Sequence, residues 1–246
     1  WKLALTGTPA PNDRMEYANH AVFVGRHPNT NAFLAKYFVN RGQTQERWVL
    51  KPHAVKPFYR EMTDWSIFVA NPALHGWSLD TTTIPPIHIH IEHVDLTKEQ
   101  RDILQKETGN LFTTKLGGIV SRSVLSRIAR GTFKGKAIAT NKYDSIITQV
   151  QSWSKTEQTI IWCQFNDEQR EVANRFGDTA SSISGDTPVD DRLRIIEDFK
   201  SGRIRVLISK PKILGFGLNL QCATRQVFSG INDSYESFYQ AVKRSN

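Results

Sequence analysis

The chain has 246 residues and a formal charge of +8, from 32 Lys+Arg against 24 Asp+Glu. With 39% hydrophobic and 23% charged residues it holds enough apolar material for a packed core, which excludes extended disorder and fibrous classes. No apolar run reaches the ~18 residues of a membrane span, and two cysteines, Cys163 and Cys222, are too few for a disulfide framework and fit a reducing compartment.

Leu3–Leu5 reads as the end of a buried strand, followed by the loop Thr6-Gly7-Thr8-Pro9-Ala10-Pro11-Asn12-Asp13. A strand cannot bury itself without neighbours. The only methionines are Met15 and Met62, and the last residues run in a helical pattern with no stop signal. The expectation is an internal piece of a longer chain. Residues 14–83 carry many aromatics, among them Tyr17, Phe33, Phe38, Trp48 and Phe58, at roughly helical spacings. They predict short helices and loops with the aromatics in a core.

Ile84-Pro85-Pro86 breaks the chain, and Ile87–Val94 alternates strictly, which predicts a half-buried strand with His88, His90 and Glu92 on one face. Such a face can bind a metal, but polar residues on the wet side of a strand are the commoner case, and no metal site is assigned. Thr97 with Gln100 three residues on forms a capping box that starts a helix. Residues 98–136 hold nine basic and three acidic residues, so six of the eight excess charges fall there; the flanking parts are each near balance at +1. A solvated helix face and a phosphate-binding surface both fit such a run. Its glycines, including Gly109, Gly117 and Gly118, predict short helices alternating with loops.

From Asn141 the pattern is regular. Helices are predicted at 143–153, 167–176, 187–199 and 234–245, and strands at 159–163, 179–184, 205–209 and 225–229. Strands alternating with helices imply a parallel sheet covered on both faces.

Four stretches carry chemistry in this order. Leu5-Thr6-Gly7-Thr8-Pro9 resembles motif III of superfamily 2 helicases in the form of the Swi/Snf-type branch, with Asn12 following. Ile160–Phe165 resembles motif IV. Ser209–Leu220 holds Gly215-Phe216-Gly217-Leu218-Asn219-Leu220, which resembles the G-x-G-[LI]-N-L core of motif V. There two glycines, two lysines and a directed amide leave room for phosphates. Gln240-Ala241-Val242-Lys243-Arg244 resembles the start of motif VI. The spacing after motif III and the Lys-Pro-Lys opening of motif V are closer to bacterial or phage members.

The resemblance implies an α/β fold: a RecA-like second helicase lobe at 141–246, preceded by the end of the first lobe (1–13), a mostly helical subdomain (14–86) and a return strand with a basic connection (87–140). It implies a cytoplasmic DNA-dependent ATPase and translocase that uses ATP and Mg²⁺ and tracks duplex DNA through backbone contacts. Gln240 and Arg244 then approach the nucleotide, Gly215, Gly217 and Asn219 shape its loop, and Thr6, Gly7, Thr8 and Pro9 couple the lobes. Lys210, Lys212, Arg122, Arg127 and Arg130 are the candidate nucleic-acid contacts. No G-x-x-x-x-G-K-[ST] loop is present, and no acidic D-E-x-x motif stands ahead of motif III, where the family places it. The 246 residues alone are therefore expected to be silent as an ATPase. A catalytically silent nucleic-acid or partner-binding module, and an unrelated doubly wound enzyme such as a nucleotide-sugar transferase, remain as alternatives.

Overall fold

The computed structural model describes residues 1–42, 47–69, 72–77, 86–113, 118–215, 217–232 and 234–245, with backbone only at 72, 108–113 and 118–121. Ile84 and Pro85 of the proline break, Lys115 and Gly117 of the basic segment, and Phe216 of the glycine loop lie outside the described residues. The chain divides into two units, Trp1–Ile84 with Ser234–Glu236, and Pro85–Asp233 with Ser237–Asn246.

The first unit contains helices α1 (Tyr17–Phe23), α2 (Thr30–Tyr37) and α3 (Val55–Thr63), and a hairpin of β1 (Phe38–Asn40) and β2 (Trp48–Leu50). Asn29 starts α2 by accepting from the Ala32 amide at 2.8 Å. The aromatics do build a core: Phe33, Tyr37, Phe38, Phe58 and Met62 are buried around Ala18 and Ala21. Phe58 meets Phe33, Tyr37 and Phe38 edge to face at 5.6–5.9 Å, the favoured aromatic geometry. The three-residue strands of the hairpin were too short to leave a periodic signal. The expected strand at Leu3–Leu5 does not form: these residues pair with no described strand, and Leu3 and Leu5 are exposed.

The second unit opens on Ile87–Val94, which also departs from expectation. Its alternation is real, but it pairs with no described strand, and Ile87, Ile89 and Ile91 face solvent. Alternation supplies an apolar face, whereas a strand needs a ladder partner as well. The capping box forms: the Gln100 amide donates to Thr97 Oγ1 at 3.2 Å, and Gln100 Oε1 accepts from the Thr97 amide at 2.9 Å. It starts α4 (Lys98–Thr113), followed by α5 (Gly118–Ala129), the hairpin of β3 (Thr132–Phe133) and β4 (Lys136–Ala137), and α6 (Lys142–Ser152). The basic segment is thus two long helices rather than short ones. Gly109 sits inside α4, where a single glycine costs only about 1 kcal/mol.

Then come β5 (Gln158–Trp162), α7 (Asn166–Phe176), β6 (Ala180–Ser182), α8 (Val189–Lys200), β7 (Val206–Ser209), α9 (Pro211–Leu214), β8 (Ala223–Phe228) and α10 (Tyr235–Val242). The four strands pair in the order β6-β7-β5-β8, all parallel. Successive side chains on a strand point to opposite faces, and the two cores follow that rule. Ile161, Cys163, Val206 and Ile208 pack against α6 and α7. Ile160, Trp162 and Leu207 pack against Phe199 of α8, Leu214 of α9 and Ala241 of α10. Both faces are covered, which is why β5 and β7 read as unbroken apolar runs.

Candidate functional site

In a parallel α/β sheet, the loops leaving the carboxyl ends of the strands gather along one edge, where ligands bind. After β5 the chain turns through Gln164 and Phe165 into α7. The amides of Gln164 and Phe165 donate to Glu168 Oε2 at 2.7 and 3.3 Å, so a buried carboxylate holds the helix start. After β7, Lys210 and then α9 follow. The Lys210 ammonium donates to Asn166 Oδ1, and Lys212 is exposed.

Two glycines shape the next loop for different reasons. The Gly215 amide donates to the Pro211 carbonyl at 2.8 Å, and a Cβ at Gly215 would collide with that carbonyl. Gly217 has φ +72°, a region other residues enter only under strain. Asn219 is exposed and spends its amide locally. Its Oδ1 accepts from the Gln221 amide at 3.0 Å and its Nδ2 donates to Gln221 Oε1 at 3.2 Å, a local turn.

Gln240 and Arg244 do come together with this loop. Arg244 Nη1 donates to the Leu218 carbonyl at 3.0 Å, Nε to the Gln240 carbonyl at 2.9 Å and Nη2 to Gln240 Oε1 at 3.2 Å. The Leu220 amide donates back to the Arg244 carbonyl at 2.8 Å. One residue missed from sequence belongs to the same junction. Gln226, a polar residue inside β8, accepts from Trp162 Nε1 at 2.7 Å and donates to the Val242 carbonyl at 2.9 Å. A glutamine in mid-strand was the available signal.

The three candidate arginines separate. Arg122 and Arg127 are exposed on α5, and the Arg127 guanidinium lies 4.4 Å from the centre of the Phe165 ring, a cation–π distance. Arg130 is corrected: it is 5% exposed, with Nε 3.6 Å from Glu168 Oε1 and Nη2 donating to the Ile231 carbonyl at 3.2 Å. It is held inside the unit instead of facing a phosphate, because the fully buried Glu168 needs a cation beside it.

Lys142 lies nearby and donates to the Ser229 carbonyl at 2.9 Å. Burial, then the Arg130 charge, lowers its pKa, with Glu168 opposing. Cys163 is fully buried, and burial, then the Glu168 charge, push its thiol well up, as in a core cysteine. Thr6, Gly7, Thr8 and Pro9 lie in the first unit. The Thr8 amide donates to Thr6 Oγ1 at 3.1 Å, and His20 Nε2 lies 2.8 Å from the Pro9 carbonyl.

This edge suits an anion better than a divalent cation. Lys210, Lys212 and the exposed turn at Gly217 supply positive charge and open backbone, which fits a phosphate. The carboxylate of Glu168 is already engaged, and among the described residues no group of three His, Cys, Asp or Glu could hold a metal. No described helix is long and apolar enough to cross a membrane.

Residues 141–246 match the model of the helicase conserved C-terminal domain. The chain is similar to the ATP-dependent RNA helicase FAL1 of Eremothecium gossypii, 30% identical over 104 residues, which cover 42% of this chain and 24% of that protein. It is also similar to the ATP-dependent RNA helicase RhlB of Pseudomonas putida, 28% identical over 112 residues, or 44% and 28% of the two. The chain thus spans about a quarter of the length of these curated relatives. Among solved structures, the Sulfolobus solfataricus SWI2/SNF2 ATPase core domain superposes with a TM-score of 0.50 at 20% identity, over 61% of this chain and 35% of that one, a likeness of fold. Residues 141–246 thus match a helicase C-terminal domain, and the four parallel strands within them fold as a RecA-like α/β lobe.

Proposed function

We propose that this chain is part of an ATP-dependent motor of the Swi/Snf type that moves on duplex DNA, with the parallel sheet as its second RecA-like lobe. The observation that carries the reading is the junction at Leu218, Gln240 and Arg244. It makes the glycine loop after β7 and the end of α10, with Arg244 just beyond it, one body, so a nucleotide phosphate met by one is reported to the other. In this reading Gly215, Gly217 and Asn219 shape the phosphate-facing loop, and Lys210 and Lys212 supply its charge. Gln240 and Arg244 reach the nucleotide when the lobes close. Arg122 and Arg127 lie along the nucleic-acid backbone, and Thr6, Gly7, Thr8 and Pro9 couple the lobes. ATP supplies the driving hydrolysis, with Mg²⁺ as its cofactor.

A second reading has one specific support: the curated relatives are named RNA helicases. The test uses the full-length protein. ATP hydrolysis should rise with duplex DNA more than with RNA of equal length, and Arg244→Gln should lower the stimulated rate by about 10²-fold. Stronger stimulation by RNA replaces the DNA reading, and no stimulation by either leaves the silent binding module. The 246 residues alone should release no ADP above a protein-free blank.

A further inference from the structure

Three consecutive backbone carbonyls after β8 each accept from a different element. Lys142 Nζ donates to the carbonyl of Ser229 at 2.9 Å, Gln164 Nε2 to that of Gly230 at 3.3 Å and Arg130 Nη2 to that of Ile231 at 3.2 Å. Asn232 Nδ2 returns a bond to Gln164 Oε1 at 3.3 Å. The donors come from the start of α6, the turn after β5 and the residue that follows α5. The clamped loop leads directly into α10, which carries Gln240 and precedes Arg244.

Arg130 is the most constrained of the three donors. It is 5% exposed, donates to the Ser126 carbonyl one turn back at 3.1 Å and faces Glu168 at 3.6 Å. Its guanidinium also lies 5.5 Å from the centre of the Phe165 ring. Its backbone carbonyl accepts from the Tyr143 hydroxyl. The loop makes room for it, since a Cβ at Gly230 would collide with the guanidinium. Charge alone does not require this arrangement. A lysine could neutralise Glu168, but only a planar fork with several donors can reach Ser126, Glu168 and Ile231 together.

We infer that Arg130 is a positioning residue. Through the Ile231 carbonyl it sets the path of residues 229–232 and hence of α10, and it ties that path to α5, the helix that bears Arg122 and Arg127. The importance of α10 rests on the motor reading above; the positioning itself does not. A load taken up by phosphate contacts on α5 then has a stiff route to the helix that approaches the nucleotide.

Hydrogen exchange on the full 246-residue chain, with no nucleotide or nucleic acid present, tests the positioning apart from the motor reading. Arg130→Gln should speed exchange of peptides covering 229–242 by about tenfold or more while β5 and β7 stay unchanged, since local openings can be independent of the core. Arg130→Lys should recover only part of the protection. Gly230→Ala keeps both buried charges and displaces the guanidinium from the other side. It should give the same local signature even if Arg130→Gln fails to fold. In Arg130→Gln the added methyl has nothing left to displace, so the double variant should be no worse than Arg130→Gln alone. Acceleration of the whole sheet, unchanged exchange at 229–242 in Gly230→Ala, or multiplying effects in the double variant would each overturn the assignment.

Discussion

Glu61 gathers three partners in the first unit. His27 Nε2 lies 2.5 Å from one carboxylate oxygen, while the Lys36 ammonium and the Tyr37 hydroxyl both donate to the other. Burial by itself raises its pKa, but the hydrogen bonds and charges of Lys36 and His27 outweigh burial and hold it below the ordinary value. A carboxylate depressed on folding stabilises the native state above its unfolded pKa of about 4.3, and that stability is lost as pH falls through the folded value. The protection of α2 and α3 amides should therefore hold from neutrality to about pH 5 and fall below about pH 4.3. Glu61→Gln should flatten that acid limb and cost about 1–3 kcal/mol at neutral pH, since His27 and Lys36 lose their anion. An unchanged acid limb in the variant would remove Glu61 as its cause. At this scale the sequence was partly readable. Arg127 and Arg130 belong to one basic run, and nothing in their spacing tells that one stacks on Phe165 at the surface while the other is enclosed beside Glu168.

The turn of helix at α9 is the element on which the site depends, and the sequence pattern predicts no helix there. Proline at its first position suits a helix start. Four residues are too few for a periodic signal, so only the burial of Pro211 and Leu214 marks it as part of the core. The turn closes at Gly215 because no side chain fits against the Pro211 carbonyl. Gly217, by contrast, needs only its backbone angle, with open space around it. Gly215→Ala should cost about 1–3 kcal/mol through forced backbone movement, and Gly217→Ala about 1–2 kcal/mol through left-handed strain. Denaturant midpoints at unchanged slope measure both. If Gly215→Ala proves the milder, the close approach to Pro211 is not what selects glycine there. The capping box at Thr97 shows the opposite situation: both of its bonds are local, so two residues in sequence were enough to predict it.

On the scale of the whole chain, most of the net charge resides in one stretch. Residues 98–136 carry six of the eight excess positive charges, and the structure withdraws one of the arginines, Arg130, into the fold. Each phosphate neutralised on duplex DNA contributes about 0.9 to the slope of log affinity against log salt. Replacing Arg122 and Arg127 together by Gln should lower that slope by about 1.8. Arg130→Lys, which keeps the charge inside, should leave it unchanged. Titration of a labelled duplex over a salt series reads both. A slope insensitive to Arg122 and Arg127 assigns the basic helix to a solvated face.

What the amino-acid order determined by itself was everything that repeats locally. The apolar runs of β5 and β7, the helical periods between them, the capping box and the order of the short motifs were enough to predict a parallel α/β lobe of helicase type. Local periodicity belongs to the chain alone. Pairing and enclosure belong to the partners, and these only the tertiary structure decided. Leu3–Leu5 and Ile87–Val94 have the pattern of strands without a ladder to join among the described residues. Phe38–Asn40 and Trp48–Leu50 have a ladder with almost no pattern. Arg130 reads as one more surface cation until Glu168, Gly230 and Ile231, distant in sequence, close around it. A buried carboxylate and a row of backbone carbonyls must find donors, and where those donors come from is settled only when the sheet brings the loops together.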